Sequence, residues 1–414
     1  MDRRSFLHGT SALAGLGILN GCTKHVATTA ASTAPTLPFY DMPGPIVPIR
    51  ADLDRIFRIT VCLRPFRAAG PRFDVEKVGD KVVVMNYGHG GSGWSLSWGS
   101  ADFAVRKAME ALPGQREIAI IGAGALGLTA ALTAQRMGYA VTIYAKERPP
   151  YVRSSRATGS WTPDSRVALE SAVAPAFGAA WESMARTSFS MYQSYLGTTG
   201  SPIEWTDRYT LADEPPPTAT NPKVNAAGEP ETRHDFIHLN SRIADLTPRP
   251  QMMPTGSTPF PTKYVRRSTS LSFNVAGYSK QLMQEFQIAG GRIETREFNT
   301  PADIGALPQS LIVCCTGYGS RALWSDESIV PVRGQIAWLI PQEGATYGIN
   351  YRGLNVLARR DGIVIQPAGD RGEEEGWNDT NEQPDRAAAE AGVKTLQELY
   401  ARMRPAAKRT ASKS

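Results

Sequence analysis

Histidine and cysteine are scarce: the 414-residue chain holds five of the first and four of the second. Cys62, Cys314 and Cys315 lack metal-ligand spacing, and His234 and His238, four apart, have no evident third ligand. A metal centre is therefore not expected, and the two histidines fit a solvated loop. Cys314-Cys315 ends the apolar run LIVCC, so buried thiols acting as small hydrophobes are expected there and at Cys62, with a disulfide left open. Long apolar runs are also missing. Nothing approaches the ~20 residues that a membrane-spanning helix needs. Charge is not clustered either: the net +6 is scattered apart from the terminal KRTASKS, which fits a solvated surface with a basic tail (405–414) and no nucleic-acid partner. No internal repeat is visible.

What is present is a 42% hydrophobic chain with 38 glycines and 30 prolines dispersed along it. That suits a loop-rich enzyme with a large core in two joined lobes. At the amino terminus, Arg3-Arg4-Ser5-Phe6-Leu7 precedes a mildly apolar stretch from Gly9 to Leu19. Residues 1–22 thus resemble a twin-arginine export signal, which implies a periplasmic location. Leu19-Asn20-Gly21-Cys22 resembles a lipoprotein box, with Asn unusual at its second position, and makes Cys22 a candidate lipid anchor. Residues 23–50, rich in Ala, Thr and Pro, fit a tether.

Chemistry enters at Glu117. EIAII, GAGALG, LTAALTAQRMG and YAVTIYA give strand, glycine turn, helix and strand. Gly122, Gly124 and Gly127 match G-x-G-x-x-G in that frame, with Ala123 inside the turn. The first glycine allows the turn, the second lets backbone approach a pyrophosphate, and the third packs helix on strand. The helix N-terminus then supplies amides and partial positive charge. The usual ribose-binding carboxylate is absent at Ala145; Glu147 is the substitute, or backbone alone holds that end. Further strands are expected at 59–67, 81–85, 264–274, RIETREF, SLIVCCTG (parallel to the nucleotide strand), 334–340 and 362–366. Helices are expected at 100–112, over most of 164–197, and at 278–289 and 385–403.

Upstream of the fingerprint lie RPFR (Arg64 to Arg67) and NYGHGGSGWSLSWGSA (Asn86 to Ala101). Together they resemble the C-terminal signature of the D-amino-acid oxidase family. YAKERPPYVRSSRATGSWTP (Tyr144 to Pro163), Cys315-Thr316-Gly317 and Arg333-Gly334-Gln335 continue the resemblance. In that family the signature follows the fingerprint; here it precedes it. The resemblance therefore implies a circular permutant: an α/β fold with an FAD-binding Rossmann-like domain and a mixed β-sheet substrate domain. Its segments would be the permuted piece 51–112, the Rossmann segment 117–200, substrate domain 201–275, a return to the FAD domain at 276–325, and substrate-domain strands with the last helix at 326–404. Permutation requires that Met403 and the region around Ile59 be neighbours.

By that resemblance FAD is the cofactor. Arg153, Ser154, Gly159 and Ser160 inherit positions that contact it. So do His89, Gly90, Gly91, Ser92, Gly93, Trp94 and Ser95 of the glycine stretch, whose consecutive amides would form an anion-binding nest. Arg64 takes the place of the arginine that grips the substrate carboxylate through its fork, while Arg67 is structural. Gly91 joins it at the catalytic centre. The family's two active-site tyrosines fall at Arg352 and Val356, so neither is retained in place; Tyr351 is the adjacent candidate, with Tyr347 nearby. The implied reaction is oxidation of the CH–NH2 group of a D-amino acid, with O2 as acceptor, giving 2-oxo acid, ammonia and H2O2. Positioning and electrostatics would carry the catalysis. A related amine oxidase or dehydrogenase with another substrate or acceptor, and a non-catalytic exported flavin-binding protein, are the alternatives. A homodimer is a further expectation.

Overall fold

The computed structural model describes residues 44, 46–215, 234–367, 369 and 371–403. The export-signal residues, Cys22, most of the tether and the basic tail lie outside them.

Six strands form one sheet, in the spatial order β2 (Val75–Val78), β3 (Lys81–Met85), β10 (Leu311–Cys314), β4 (Glu117–Ile121), β5 (Ala140–Ala145) and β9 (Arg292–Thr295). β2 is antiparallel to β3, and every other pairing is parallel. A parallel sheet needs cover on both faces, and the near-continuous apolar runs supply it. Val82, Val84, Ile118, Ile120, Leu311 and Val313 face a layer made of α1 (Gly93–Ala111), α2 (Ala125–Arg136), α3 (Phe177–Gln193) and α4 (Val275–Ile288). The alternate residues Val83, Met85, Ala119, Ile121, Ile312 and Cys314 meet the short helices α5 (Pro301–Gly305) and α6 (Ser320–Leu323) on the other face.

The second sheet has eight strands, in the order β1 (Ile56–Arg67), β11 (Ile329–Leu339), β14 (Gly362–Pro367), β13 (Leu354–Arg359), β12 (Gly348–Tyr351), β6 (Ile203–Ala212), β8 (Tyr264–Phe273) and β7 (Gln251–Met252). Only β12 and β6 run parallel, so it is a mixed sheet. The last helix, α7 (Arg386–Ala401), packs on β14 and β11 and reaches the turn Leu53–Arg55. Near its end the Tyr400 and Tyr347 hydroxyls lie 2.8 Å apart, and Tyr347 donates to the Val47 carbonyl at 2.8 Å. The last described helix therefore ends beside the entry to β1.

Two helix boundaries differ from expectation. The helix expected from Ser100 begins at Gly93, because the small residues of its first two turns have tertiary partners. Ser95 Oγ accepts the Thr162 amide at 2.8 Å, the Gly99 amide donates to Ser188 Oγ at 2.8 Å, and Ser97 Oγ lies 2.9 Å from the Tyr192 hydroxyl. Packing overrides their weak helix propensity. Conversely, residues 164–176 form turns, a bridge at Leu169 and one 3-10 turn at Glu170–Ala172, and the α-helix expected there is confined to α3. β2 and β12, four residues each, are too short to carry a clear alternation in sequence.

Candidate active site

A cavity of about 980 Å³ lies between the two sheets, bordered by Ile121 and Tyr144 on one side and by Arg64, Gly334, Asn350 and Tyr351 on the other. Its cofactor end is built by β4, the glycine turn and α2. Gly122 has φ +109°, and a Cβ there would sit 2.5 Å from the Cys315 carbonyl oxygen; at Gly127 a Cβ would meet the Gly122 oxygen at 1.9 Å. Both positions exclude any side chain. Gly124, the cap of α2, brings no side chain to the helix end, which borders the cavity and, beyond the Ala125 amide, is suited to an anion. Ser154 ties this turn to α1: its Oγ accepts the Ala125 amide at 3.1 Å, and its carbonyl accepts Trp94 Nε1 at 2.8 Å. The cradle fits the pyrophosphate of FAD.

At the end of β5, Lys146 is paired with Glu297 at 2.5 Å. Glu147 is exposed and borders the same cavity. Arg153 also borders the cavity, but its fork is engaged by Glu382 at 2.7 and 2.8 Å. Ser160 and Gly159 line the wall; Ser160 Oγ is bonded by Arg208, and Gly159, at φ +86°, leaves no room for a Cβ against the Phe273 oxygen, 2.5 Å away.

The glycine stretch is built differently from the expected nest. The Gly90 amide donates to the Pro65 carbonyl at 2.9 Å, Gly91 to Ser165 at 3.0 Å and Ser92 to His89 at 2.9 Å. These amides are spent on the protein, because the glycines let the chain press between β1 and the 165–166 loop. A Cβ on Gly90 would lie 1.9 Å from the Arg166 oxygen. Ser92 and Ser95 do not border the cavity: their hydroxyls bond the Ser165 carbonyl at 3.0 Å and the Thr162 amide at 2.8 Å. His89 is 1% exposed, with Nε2 2.7 Å from Ser100 Oγ and its ring edge-on to Phe73. Burial lowers its pKa to about 3, so the imidazole is neutral and structural. His89, Gly90, Gly91, Gly93 and Trp94 do border the cavity, and the positive pole there is the first turn of α1.

Arg64 stands opposite Val332 in the β1–β11 ladder. Its guanidinium lies flat over Gly334, where a Cβ would sit 2.2 Å from Nη2. Nη1 donates to the carbonyls of Arg333 at 3.2 Å and Val332 at 3.4 Å. Among the described residues no carboxylate pairs with it, and burial lowers its pKa from the ordinary arginine value. A part-buried cation held only by backbone is suited to a carboxylate ligand. Arg67, by contrast, is structural, bonded to Ser328 Oγ at 2.8 Å and to the Gly70 carbonyl at 3.0 Å.

Tyr351 borders the cavity with 3% of its surface exposed. Its hydroxyl, however, accepts from Arg402 at 2.5 Å and lies 3.4 Å from Asp213, so it is not offered to a ligand. Tyr347 does not border the cavity. Cys62 does, half-buried rather than in the core, and burial raises its pKa. His234 is not in a solvated loop: Nδ1 lies 2.6 Å from Glu374, and the ring lies against Trp377, tilted by 32° with centroids 3.8 Å apart. Sequence inspection missed Arg166 and Asn355, which also line the cavity. Neither has a motif around it.

Residues 117–412 match the model of the FAD dependent oxidoreductase family; the segment with Arg64 and the glycine stretch lies before the matched range. A D-amino-acid oxidase of Rubrobacter xylanophilus is 24% identical over 290 residues, covering 69% of this chain and 78% of that protein. A D-amino acid oxidase of Dugesia ryukyuensis is 30% identical over 141 residues, 33% of this chain but only 41% of that protein. Among solved structures, an L-amino acid deaminase from Proteus vulgaris, with its specific insertion sequence deleted, is similar at a TM-score of 0.45 and 15% identity over 70% of this chain and 75% of that one. The family model spans well over half of the chain and begins at the strand that carries the glycine cradle. The chain belongs to the FAD dependent oxidoreductase family, and FAD is its cofactor.

Proposed function

We propose that the protein oxidises the CH–NH2 group of a D-amino acid to an imine, which water hydrolyses to a 2-oxo acid and ammonia while O2 is reduced to H2O2. The observation that carries this reading is Arg64: a guanidinium without an acid partner among the described residues, in the wall of the cofactor cavity. The curated relatives support it through their names, D-amino-acid oxidase. FAD, held by the cradle of Gly122, Gly124 and Gly127, would supply the hydride acceptor for the substrate carbon and the route for electrons to oxygen. The protein's share is to hold the substrate carboxylate on Arg64, to keep the site dry, and to place the positive pole of α1 at the cavity wall. The Tyr351 hydroxyl is engaged by Arg402, and burial disfavours a proton on His89, so neither is suited to act as a base. The test is peroxide release across a panel of D- and L-amino acids by the yellow holoprotein, compared with Arg64→Leu and Arg64→Lys. Losing a bidentate charged pair is worth ~2–5 kcal/mol, so kcat/KM falls by at least about thirtyfold in both variants. Unchanged kcat/KM in Arg64→Leu removes Arg64 as the anchor, and no peroxide from any amino acid removes the reaction.

The order of the pieces is read in the same way. Circular permutation is supported by the proximity of Tyr400 and Val47 through Tyr347, and by a family match that begins at Glu117. Export through the Arg3-Arg4 signal, with Cys22 as lipid anchor, suits a protein that must fold around its cofactor before crossing a membrane. Export-defective Arg3→Lys/Arg4→Lys protein retained in the cytoplasm is the expected outcome.

A further inference from the structure

Arg64 accounts for one carboxylate, yet a second cation stands beside it. Arg166 adopts φ +48°, an uncommon conformation for a residue other than glycine. Surrounding contacts hold it there, since its carbonyl is pressed against Gly90. Its side chain is clamped as well: Nε donates to the Glu373 carbonyl at 2.6 Å, Nη2 to the Gly372 carbonyl at 3.1 Å and Nη1 to Ser165 Oγ at 3.2 Å. None of these acceptors carries charge. The residue is 9% exposed and borders the cavity, and among the described residues it is in no ion pair.

The two arginines share their supports. The Gly90 amide is bonded to Pro65, next to Arg64, and the Gly91 amide to Ser165, next to Arg166. On the other side, the carbonyls that hold Arg64 belong to residues 332 and 333, and those that hold Arg166 to 372 and 373. The Arg333 amide is in turn bonded to the Gly376 carbonyl at 2.8 Å. Burial, and then the nearby charge of Arg64, lower the pKa of Arg166 to about 10. Two like charges at low dielectric repel; Glu373, Glu374 and Glu375 lie near enough to offset part of that repulsion, but among the described residues no carboxylate is bonded to either guanidinium, which leaves room for an anion between them. The cofactor's diphosphate does not fill that need, because the end of α2 already serves it.

Resting on the amino-acid oxidase reading above, we propose that the substrate is an aminodicarboxylate of the aspartate or glutamate type. Arg64 takes the carboxylate next to the reacting carbon and Arg166 takes the side-chain carboxylate, which makes Arg166 a specificity-determining residue. The alternative role for Arg166, a clamp between two loops, predicts equal losses on every substrate.

The experiment uses full-length holoprotein and compares kcat/KM for aspartate and glutamate with asparagine and glutamine, in both configurations. The acids are expected to exceed their amides by about 10–100-fold, the range of a hydrogen-bonded charge. Arg166→Gln is expected to bring that ratio close to one, with Arg166→Lys between the two. Thermal shift with succinate and with butyrate supplies a readout independent of turnover: succinate stabilises the wild type more than butyrate does, and the difference is lost in Arg166→Gln. Amides or neutral amino acids oxidised as well as the acids overturn the proposal while leaving the oxidase reading intact. If no amino acid is oxidised, the oxidase reading fails, and equal shifts with succinate and butyrate then overturn the two-cation site as well. If Arg166→Gln does not fold, the Arg166→Lys ratio and the wild-type shifts still decide.

Discussion

Gly99→Ala puts the packing of the cavity wall to a quantitative test. Gly99 sits inside α1 where that helix touches α3, and a Cβ there would lie 2.2 Å from the Met184 carbonyl oxygen and 2.4 Å from its Cα. Ordinary contact begins near 3.4 Å, so the helices must part by about 1.2 Å. Both obstructing atoms are backbone and cannot turn aside. Overpacking of this kind costs ~1–3 kcal/mol. Losing the Gly99 amide's bond to Ser188 Oγ, 2.8 Å long, adds ~1 kcal/mol, and the better helix propensity of alanine returns about 1 kcal/mol. The net is a loss of ~1–3 kcal/mol, or a fall in Tm of roughly 2–6 °C for a domain larger than about 200 residues. FAD retention should fall too, because α1 carries Trp94, whose indole holds Ser154 beside the cofactor cradle. Gly93→Ala, in the first turn of the same helix with nothing within 4 Å of the added Cβ, is the control for unfolding without added FAD and should match or exceed wild type there; since Gly93 borders the cavity, wild type is the reference for FAD retention. Thermal unfolding with and without added FAD gives both readouts. A Gly99→Ala protein as stable as Gly93→Ala would refute the claim that backbone contact dictates this glycine.

Two other perturbations follow from buried charge chemistry. His89 is held neutral with a pKa near 3, below its unfolded value. The unfolded chain therefore binds the extra proton, and stability present above about pH 6.5 is lost as pH falls toward 3, by up to ~1.4 kcal/mol per pH unit. Urea unfolding at pH 7 and 5 should show a smaller acid penalty in His89→Gln than in wild type; equal penalties would assign the acid sensitivity elsewhere. Arg359 has a side chain 2% exposed and pairs with Asp361. It also donates to the carbonyls of Ala157 at 2.8 Å and Thr158 at 3.0 Å. Arg359→Leu should cost ~3–5 kcal/mol, partly recovered by adding Asp361→Leu. Full stability of the single variant in a denaturant series would show that the pair contributes nothing.

What was legible in the sequence was local. The cradle of Gly122, Gly124 and Gly127 is confined to one strand-turn-helix unit, so spacing sufficed. The parallel β10–β4 pairing followed from an apolar run that only a covered sheet accepts. Arg64 could be singled out because of its neighbours in the chain. The misjudged features depend on partners far away in sequence. Whether the Gly90 and Gly91 amides are open is decided by Pro65 and Ser165, and no property of the glycine run reports those carbonyls. The Tyr351 hydroxyl is taken by Arg402, 51 residues later. Arg166 reaches the cavity only because the loop at 372–373 folds over it. A side chain can be assigned to a site by its chemistry, but its availability is a matter of tertiary contacts.

The pairing of β1 with β11 and of β3 with β10 also sets a timetable for the nascent chain. Val83 is aligned with Ile312, and Arg64 with Val332, so the first strands to leave the ribosome wait for partners made more than two hundred residues later. Until then the apolar KVVVM strand, buried along its whole length in the finished protein, has no parallel neighbour to cover it. Such long-range closure slows folding and prolongs exposure to aggregation. The Rossmann unit can assemble early around its own short connections, whereas Arg64, although synthesised before it, is among the last groups to reach its place.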